Sequence, residues 1–156
     1  ELEQNGKLTA VITQNIDGLH QAAGSKKVFE LHGSTLRNYC TKCGVFYGID
    51  YIDTHSDQNG IPLCEKCGSL IKPDVVLYEE GLDMATVEGA ERALSEADML
   101  IIGGTSLTVY PAAGLINLFG NREKLVLINR DPTPSDCIAS LVIHDSLGKV
   151  FERIIC

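Results

Sequence analysis

Apolar residues fall in short runs separated by charged or glycine-containing stretches. Leu8 to Thr13, with Leu8, Ala10, Val11 and Ile12, predicts a buried strand ending in a polar loop, and Val28 to His32 predicts a second. Ahead of them, Glu1 to Leu8 reads as the last turns of a helix, with Asn5-Gly6 suited to a C-terminal cap. Asp74 to Tyr78 is strand-like, and Met84, Val87, Ala90, Leu94 and Ala97, spaced by three and four, mark one face of a helix. Met99 to Gly103 predicts a buried strand, Pro111 to Phe119 a helix with proline near its first turn, and Leu125 to Asn129 another strand. Leu141 to His144 follows as a short strand, and a final helix carries Leu147, Val150, Phe151, Ile154 and Ile155 on its apolar face. Strands alternating with helices imply an α/β chain built on a largely parallel, doubly wound sheet.

Residues 40–69 break this rhythm with two cysteine pairs, several glycines and the polar stretch 53–60, and read as an inserted module. The expected organisation is therefore a sheet domain made of residues 1–39 and 70–156, interrupted by the module at 40–69. The length of 156 residues and 44% apolar content suit one ordinary core with a small appendage. The formal net charge of -8 argues against a nucleic-acid backbone as main partner. The apolar runs are far too short for a membrane span, and no charged n-region followed by an apolar stretch opens the chain. These features make a cytoplasmic protein with no nucleic-acid or membrane partner the expectation.

Cys40 and Cys43 are two residues apart, as are Cys64 and Cys67, and twenty residues lie between the pairs. That is zinc-ribbon spacing. Gly44 and Gly68 follow the second cysteine of each pair, and four thiolates close a tetrahedral shell with no position left for water or substrate. A redox role would need each pair at a helix N-terminus after a strand, and neither has that setting. The ion is therefore expected to be structural. Cys137 and Cys156 remain outside the ribbon and read as a small apolar residue and a chain-end thiol.

In a doubly wound sheet ligands bind outside the carboxyl ends of the strands. After the first strand comes Thr13-Gln14-Asn15-Ile16-Asp17-Gly18-Leu19-His20, which concentrates an amide pair, a carboxylate and a histidine, although Asn15 or Asp17 also suits a helix cap. After the second comes Glu30-Leu31-His32-Gly33, where a histidine at a strand terminus suits a general base or an ordinary surface position. Gly103-Gly104-Thr105-Ser106 follows the strand at Met99 and offers backbone N–H groups and hydroxyls to a phosphate, a weakly specific signal. Asn129 ends the next strand and fits a ribose contact or a turn equally well.

Together these segments resemble the sirtuin family of NAD-dependent lysine deacylases, and within it the bacterial branch. The resemblance rests on TQNIDGLH at 13–20, ELHG at 30–33, the four cysteines, KPDVVLYEE at 72–80, GTSLTVYPAAGL at 104–115 and LINRDPTPSD at 127–136. It implies a Rossmann-like fold with NAD and zinc as cofactors. Gln14, Asn15, Ile16 and Asp17 would lie at the nicotinamide and ribose, with His32 as the base. Gly104, Thr105, Ser106, Asn129 and Arg130 would meet phosphate and ribose, and Lys149 the adenine. An acylated-lysine protein or peptide would lie along Val75, Val76, Tyr78 and Glu79 and along Val109 and Tyr110 as an added strand. In such enzymes the acyl oxygen attacks C1′ of the ribose, nicotinamide leaves, and the products are lysine, nicotinamide and O-acyl-ADP-ribose. The alternative is a non-catalytic module that binds acyl-peptide or NAD without turnover.

Two departures from the family pattern stand out. The family usually has glycine and then glutamate after the aromatic of the peptide segment, where this chain has Glu79-Glu80 after Tyr78. The family's Gly-Ala-Gly turn, its following serine and its Pro-Asp-Phe-Arg segment do not occur in these residues, and the resemblance places them before residue 1. Without that first strand and turn, the sheet domain is expected to be incomplete and these residues alone poorly active.

Overall fold

The computed structural model describes residues 1–154; Ile155, expected on the last apolar helix face, and Cys156, the chain-end thiol, lie outside the described residues. The chain is α/β and Rossmann-like, with parallel strands alternating with helices and an antiparallel cysteine-bearing sheet between them in chain order. It divides into two units: one runs from Val11 to Val87, and the other joins Glu1–Ala10 to the residues from Glu88 onward.

In the first unit β1 (Val11–Thr13) and β2 (Val28–Glu30) pair in parallel, Val11 opposite Val28 and Thr13 opposite Glu30. The short helix α1 (Leu19–Ala22) connects them. A three-stranded antiparallel sheet follows, with β3 (Gly33–Cys40) between β4 (Phe46–Gly48) and β5 (Ile71–Val75), and with α2 (Ile49–Thr54) after β4. The strand β3 was not expected, because its inward positions include Ser34 and Asn38, two buried polar residues that hide the period of two. Their polarity is satisfied locally: Ser34 Oγ accepts from Leu36 N–H, and Asn38 Nδ2 donates to the Thr35 carbonyl. The strand expected at Asp74 to Tyr78 instead occupies Ile71–Val75, since antiparallel pairing with β3 begins at Cys40 opposite Ile71 and ends at Gly33 opposite Val75.

The helix α3 (Met84–Glu96) runs as its spacing predicts, burying Ala90, Ala93 and Leu94. Asp83 caps it, accepting from Thr86 N–H at 2.8 Å and from the Thr86 hydroxyl at 2.7 Å. In the second unit β6 (Leu100–Gly103), β7 (Leu125–Ile128) and β8 (Leu141–Ile143) form a parallel sheet in that order. The middle strand is the most apolar, with Leu125, Leu127 and Ile128 almost wholly buried beside Phe119. The helix expected over Pro111 to Phe119 is present as a 3-10 helix over Ala112–Leu118, closed at its start by Gly114 N–H to the Pro111 carbonyl. The last helix, α4, covers Leu147–Ile154. At the chain start the turns around Glu1–Gly6 end in a glycine cap, with Gly6 at φ 68°, Gly6 N–H on Glu3 O and Lys7 N–H on Leu2 O. Among the described residues no helix is long and apolar enough to cross a membrane.

Gly33 is where the β2 segment passes into the antiparallel sheet. Its φ of 76° lies in the left-handed region, and a Cβ there would stand 1.8 Å from the Asp74 carbonyl oxygen, a backbone atom with nowhere to go. Gly33→Ala is expected to lower stability by about 2–4 kcal/mol, combining overpacking with backbone strain. Chemical denaturation checks this, and a loss below about 1 kcal/mol contradicts it.

Candidate functional site

The parallel register of β1 and β2 ends both strands at one level, Thr13 beside Glu30, so the loops that follow share one edge. The Leu31 N–H donates to the Thr13 carbonyl and ties them at their root. Beyond that tie, His32 Nδ1 lies 3.0 Å from the Gln14 carbonyl oxygen. A carbonyl only accepts, so Nδ1 carries the proton, and in the neutral ring Nε2 keeps its lone pair. The His32 backbone is held as well, its carbonyl accepting from Val76 N–H at 3.0 Å.

The rest of the first loop is fixed by its own backbone. Asn15 N–H donates to Thr13 Oγ1, Ile16 O accepts from both the N–H and the hydroxyl of Thr35, and Asp17 Oδ1 accepts from Leu19 N–H at the start of α1. Asp17 thus closes a local turn ahead of α1, whose N-cap position is Gly18, while it and Asn15 stay exposed. Gln14, Ile16 and His32 are half-buried.

An ion-pair cluster forms around Arg37. Arg37 on β3 donates through NH1 to Glu30 Oε2 at 2.7 Å and through Nε to Asp74 Oδ2 at 2.9 Å. It links the end of β2 to β5. The Arg37 side chain is 40% exposed and that of Glu30 8%, so the carboxylate depends on its partner more than the guanidinium does. Sequence reasoning missed Arg37, whose partners are 7 and 37 residues away.

Val75 and Val76 lead from β5 towards the exposed Tyr78 and Glu79. Glu79 occupies the position where the family pattern has glycine, and its φ is 72°. Glu80 fastens this turn, accepting from Leu77 N–H and from Lys72 Nζ at 2.9 and 2.8 Å. Those donors hold its carboxyl below the usual range, Leu77 N–H foremost.

The four cysteines come together, with all sulfurs within 4.8 Å of one another. Neighbouring Sγ atoms are 3.4 Å apart for Cys40 and Cys67, and 3.6 Å for Cys43 with Cys64 and with Cys67. A zinc–sulfur bond of about 2.3 Å in a tetrahedron demands about 3.8 Å, so the set fits such an ion with small adjustment. Both knuckles are alike: Gly44 N–H donates to Cys40 O and Gly68 N–H to Cys64 O, each glycine in the left-handed region. Tyr47 Oη lies 3.1 Å from Cys64 Sγ and holds that thiol down to about 6. The neighbouring sulfur in turn pushes the Tyr47 hydroxyl up. Ser69 N–H chiefly lowers Cys67. Tyr47 was not anticipated, since no spacing rule attaches an aromatic to this knuckle. Cys137 is free and exposed.

In the second unit Gly103 stands opposite Ile128, so the residues following β6 and β7 again share one end of a sheet. Gly104 has φ 64° with open space where a Cβ would be, and its N–H donates to Ile128 O. Thr105 Oγ1 accepts from Leu107 N–H, and the Ser106 and Thr108 hydroxyls are 2.7 Å apart. Asn129 donates through Nδ2 to Asp131 O, the turn role open to its type. Arg130 and, on α4, Lys149 are exposed, as are Val109 and Tyr110.

A model of the Sir2 family matches residues 1–111. An NAD-dependent protein deacetylase of Clostridium perfringens is 59% identical over 155 residues, which is 99% of this chain and 62% of that protein. One from Clostridium acetobutylicum is 58% identical over 156 residues, again 62% of its length. The chain therefore spans about 62% of the relatives it matches. Among solved structures, Sir2 with a p53 peptide and NAD+ superposes with a TM-score of 0.91 at 40% identity, covering 99% of this chain and 65% of that one. Sir2 bound to an acetylated peptide gives the same values.

Two substitutions test the local reading. Replacing Arg37 with Met strands the shielded Glu30 carboxylate, and discounting for the exposed guanidinium it is expected to cost about 1–2 kcal/mol in denaturant unfolding. Glu79→Gly relieves a left-handed residue worth about 1–2 kcal/mol, less about 0.5–1 kcal/mol for glycine's added freedom, and is expected to raise stability by a net of about 0.5–1 kcal/mol. A neutral or destabilising Glu79→Gly would show that the turn is not strained.

Proposed function

Since the chain belongs to the Sir2 family, we propose that the protein it represents is an NAD-dependent protein-lysine deacetylase. It would convert an acylated-lysine protein or peptide, NAD and water to free lysine, nicotinamide and O-acyl-ADP-ribose. In this reading residues 1–39 and 70–156 belong to a Rossmann-like domain, and 40–69 form the ribbon. The observation that carries the proposal is the tether from the Gln14 carbonyl to His32 Nδ1, which leaves Nε2 as a proton acceptor at the strand ends.

NAD, when bound, supplies the ribose and the nicotinamide leaving group. His32 Nε2 takes a ribose hydroxyl proton, and the ring need not reorient because its other nitrogen is occupied. Asn15 and Asp17, exposed on a loop that Thr13 and Thr35 hold, offer an amide and a carboxylate to the nicotinamide, with Gln14 and Ile16 beside them. Gly104, whose missing Cβ leaves open space, lets a phosphate approach backbone N–H groups, and Thr105 and Ser106 add hydroxyls. Asn129 and Arg130 serve the ribose, and Lys149 the adenine. The peptide adds as a strand along Val75, Val76, Tyr78 and Glu79, with Val109 and Tyr110 as further contacts. Cys40, Cys43, Cys64 and Cys67 hold a structural zinc that takes no part in the chemistry. The reading places the protein in the cytoplasm, where thiols stay reduced and available to a metal.

Full-length protein given NAD and an acetyl-lysine peptide is expected to release nicotinamide and deacetylated peptide in equal amounts. His32→Ala should cut turnover by at least about 100-fold while peptide binding survives. Unchanged turnover in His32→Ala, or no nicotinamide release from the wild type, overturns the proposal.

A further inference from the structure

The ribbon's four sulfurs are not equivalent. Each knuckle contributes one buried cysteine, Cys40 and Cys64, and one exposed cysteine, Cys43 and Cys67. Cys40 Sγ accepts a backbone N–H from its own knuckle, that of Cys43 at 3.4 Å. Cys64 Sγ has in addition a side-chain partner from another element, the Tyr47 hydroxyl at 3.1 Å. Tyr47 is 5% exposed and Cys64 2%, so this contact is shielded from water that would otherwise compete for both groups.

The tyrosine is also held rigidly. Its backbone pairs with Asn38 on β3, and its ring packs at 4.3 Å against Tyr51 on α2. Tyr51 donates its own hydroxyl to the Leu63 carbonyl, the residue next to Cys64, and stacks at 4.1 Å on His55 one turn further along. Tyr47 therefore cannot turn its hydroxyl away from the sulfur without disturbing a packed column. A metal held by four thiolates leaves excess negative charge on the sulfurs, and a fixed O–H donor aimed at one of them stabilises that charge in the bound state.

We propose that Tyr47 is a positioning residue for the metal, and that its hydroxyl, donated to the Cys64 sulfur, sets how tightly and how long the ribbon retains zinc. The exposed sulfurs of Cys43 and Cys67 form the face at which a chelator or electrophile first engages. The buried Cys40 and Cys64 form the half that keeps the ion. The proposal rests on the four-cysteine zinc reading, and the test separates the two.

Zinc is first measured by elemental analysis on full-length wild-type protein, and absence of about one ion per chain defeats the zinc reading itself. Transfer of zinc to a chromogenic chelator is then timed for wild type, Tyr47→Phe and Tyr51→Phe, each shown to be folded by circular dichroism. Tyr47→Phe keeps the ring and removes only the hydroxyl; it is expected to lose zinc about 10-fold faster or more. Tyr51→Phe, which loses a bond to a carbonyl and none to sulfur, is expected to match the wild type. A Tyr47→Phe rate within twofold of wild type, or equal acceleration by Tyr51→Phe, overturns the proposal. If Tyr47→Phe does not fold, limited N-ethylmaleimide labelling of zinc-loaded wild type decides: Cys43 and Cys67 react ahead of Cys40 and Cys64 if the proposal holds, and early labelling of Cys64 defeats it.

Discussion

Parallel pairing of very short strands is the constraint on which the molecule depends. A largely apolar strand of three or four residues presents its polar chemistry mainly beyond its ends, and parallel registry brings neighbouring ends level. The pairs Thr13 with Glu30 and Gly103 with Ile128 each produce one such edge, and every strand-end residue singled out for dinucleotide chemistry follows one of them. The backbone bond from Leu31 to Thr13 and the ring contact from His32 to Gln14 extend the registry by two more residues. What distinguishes His32 from an ordinary surface histidine is this continuation of sheet order into a loop.

The antiparallel sheet solves a different problem. Four sulfurs must meet with little apolar core behind them, and a small buried cluster of Cys40, Tyr47, Cys64 and Ile71 lies there. Such a module leans on its metal, as small domains commonly do. The strand β3 runs from the sulfur cluster at Cys40 to Gly33, next to the histidine, so ribbon and strand-end site share one rigid element. Arg37, midway along it, reaches β2 and β5 together.

How much of this was legible in the sequence depended on the range of the interaction. The cysteine spacing announced the sulfur cluster because both ligands of a knuckle lie within four residues, and β6 and β7 announced themselves as unbroken apolar runs, although only β7 is buried while β6 leaves Ile101 exposed. The strand β3 was silent because Ser34 and Asn38 occupy its inward positions, their hydrogen bonds satisfied locally. The segment after Pro111 was legible only as a helix, because composition does not separate α from 3-10 winding over two turns. Tyr47 and Arg37 were out of reach, since nothing nearby in the chain indicates the sulfur or the carboxylates they touch. Glu79 lies between these cases: the departure from glycine was visible, and its backbone geometry shows why the substitution carries a cost.

The outer strand β5 has a consequence for crowded solutions. One side of it pairs with β3 and, among the described residues, no strand pairs with the other. Open strand sides invite copies of a protein to knit together into longer sheets. Pro73 in the middle of β5 has no N–H to offer, and Lys72 and Asp74 flank it with opposite charges. A continuous ladder between two copies would break at the proline, whereas a short extended guest needing only one or two backbone bonds near Val75 would not meet it. The same strand can thus be inhospitable to its own kind and open to a brief visitor.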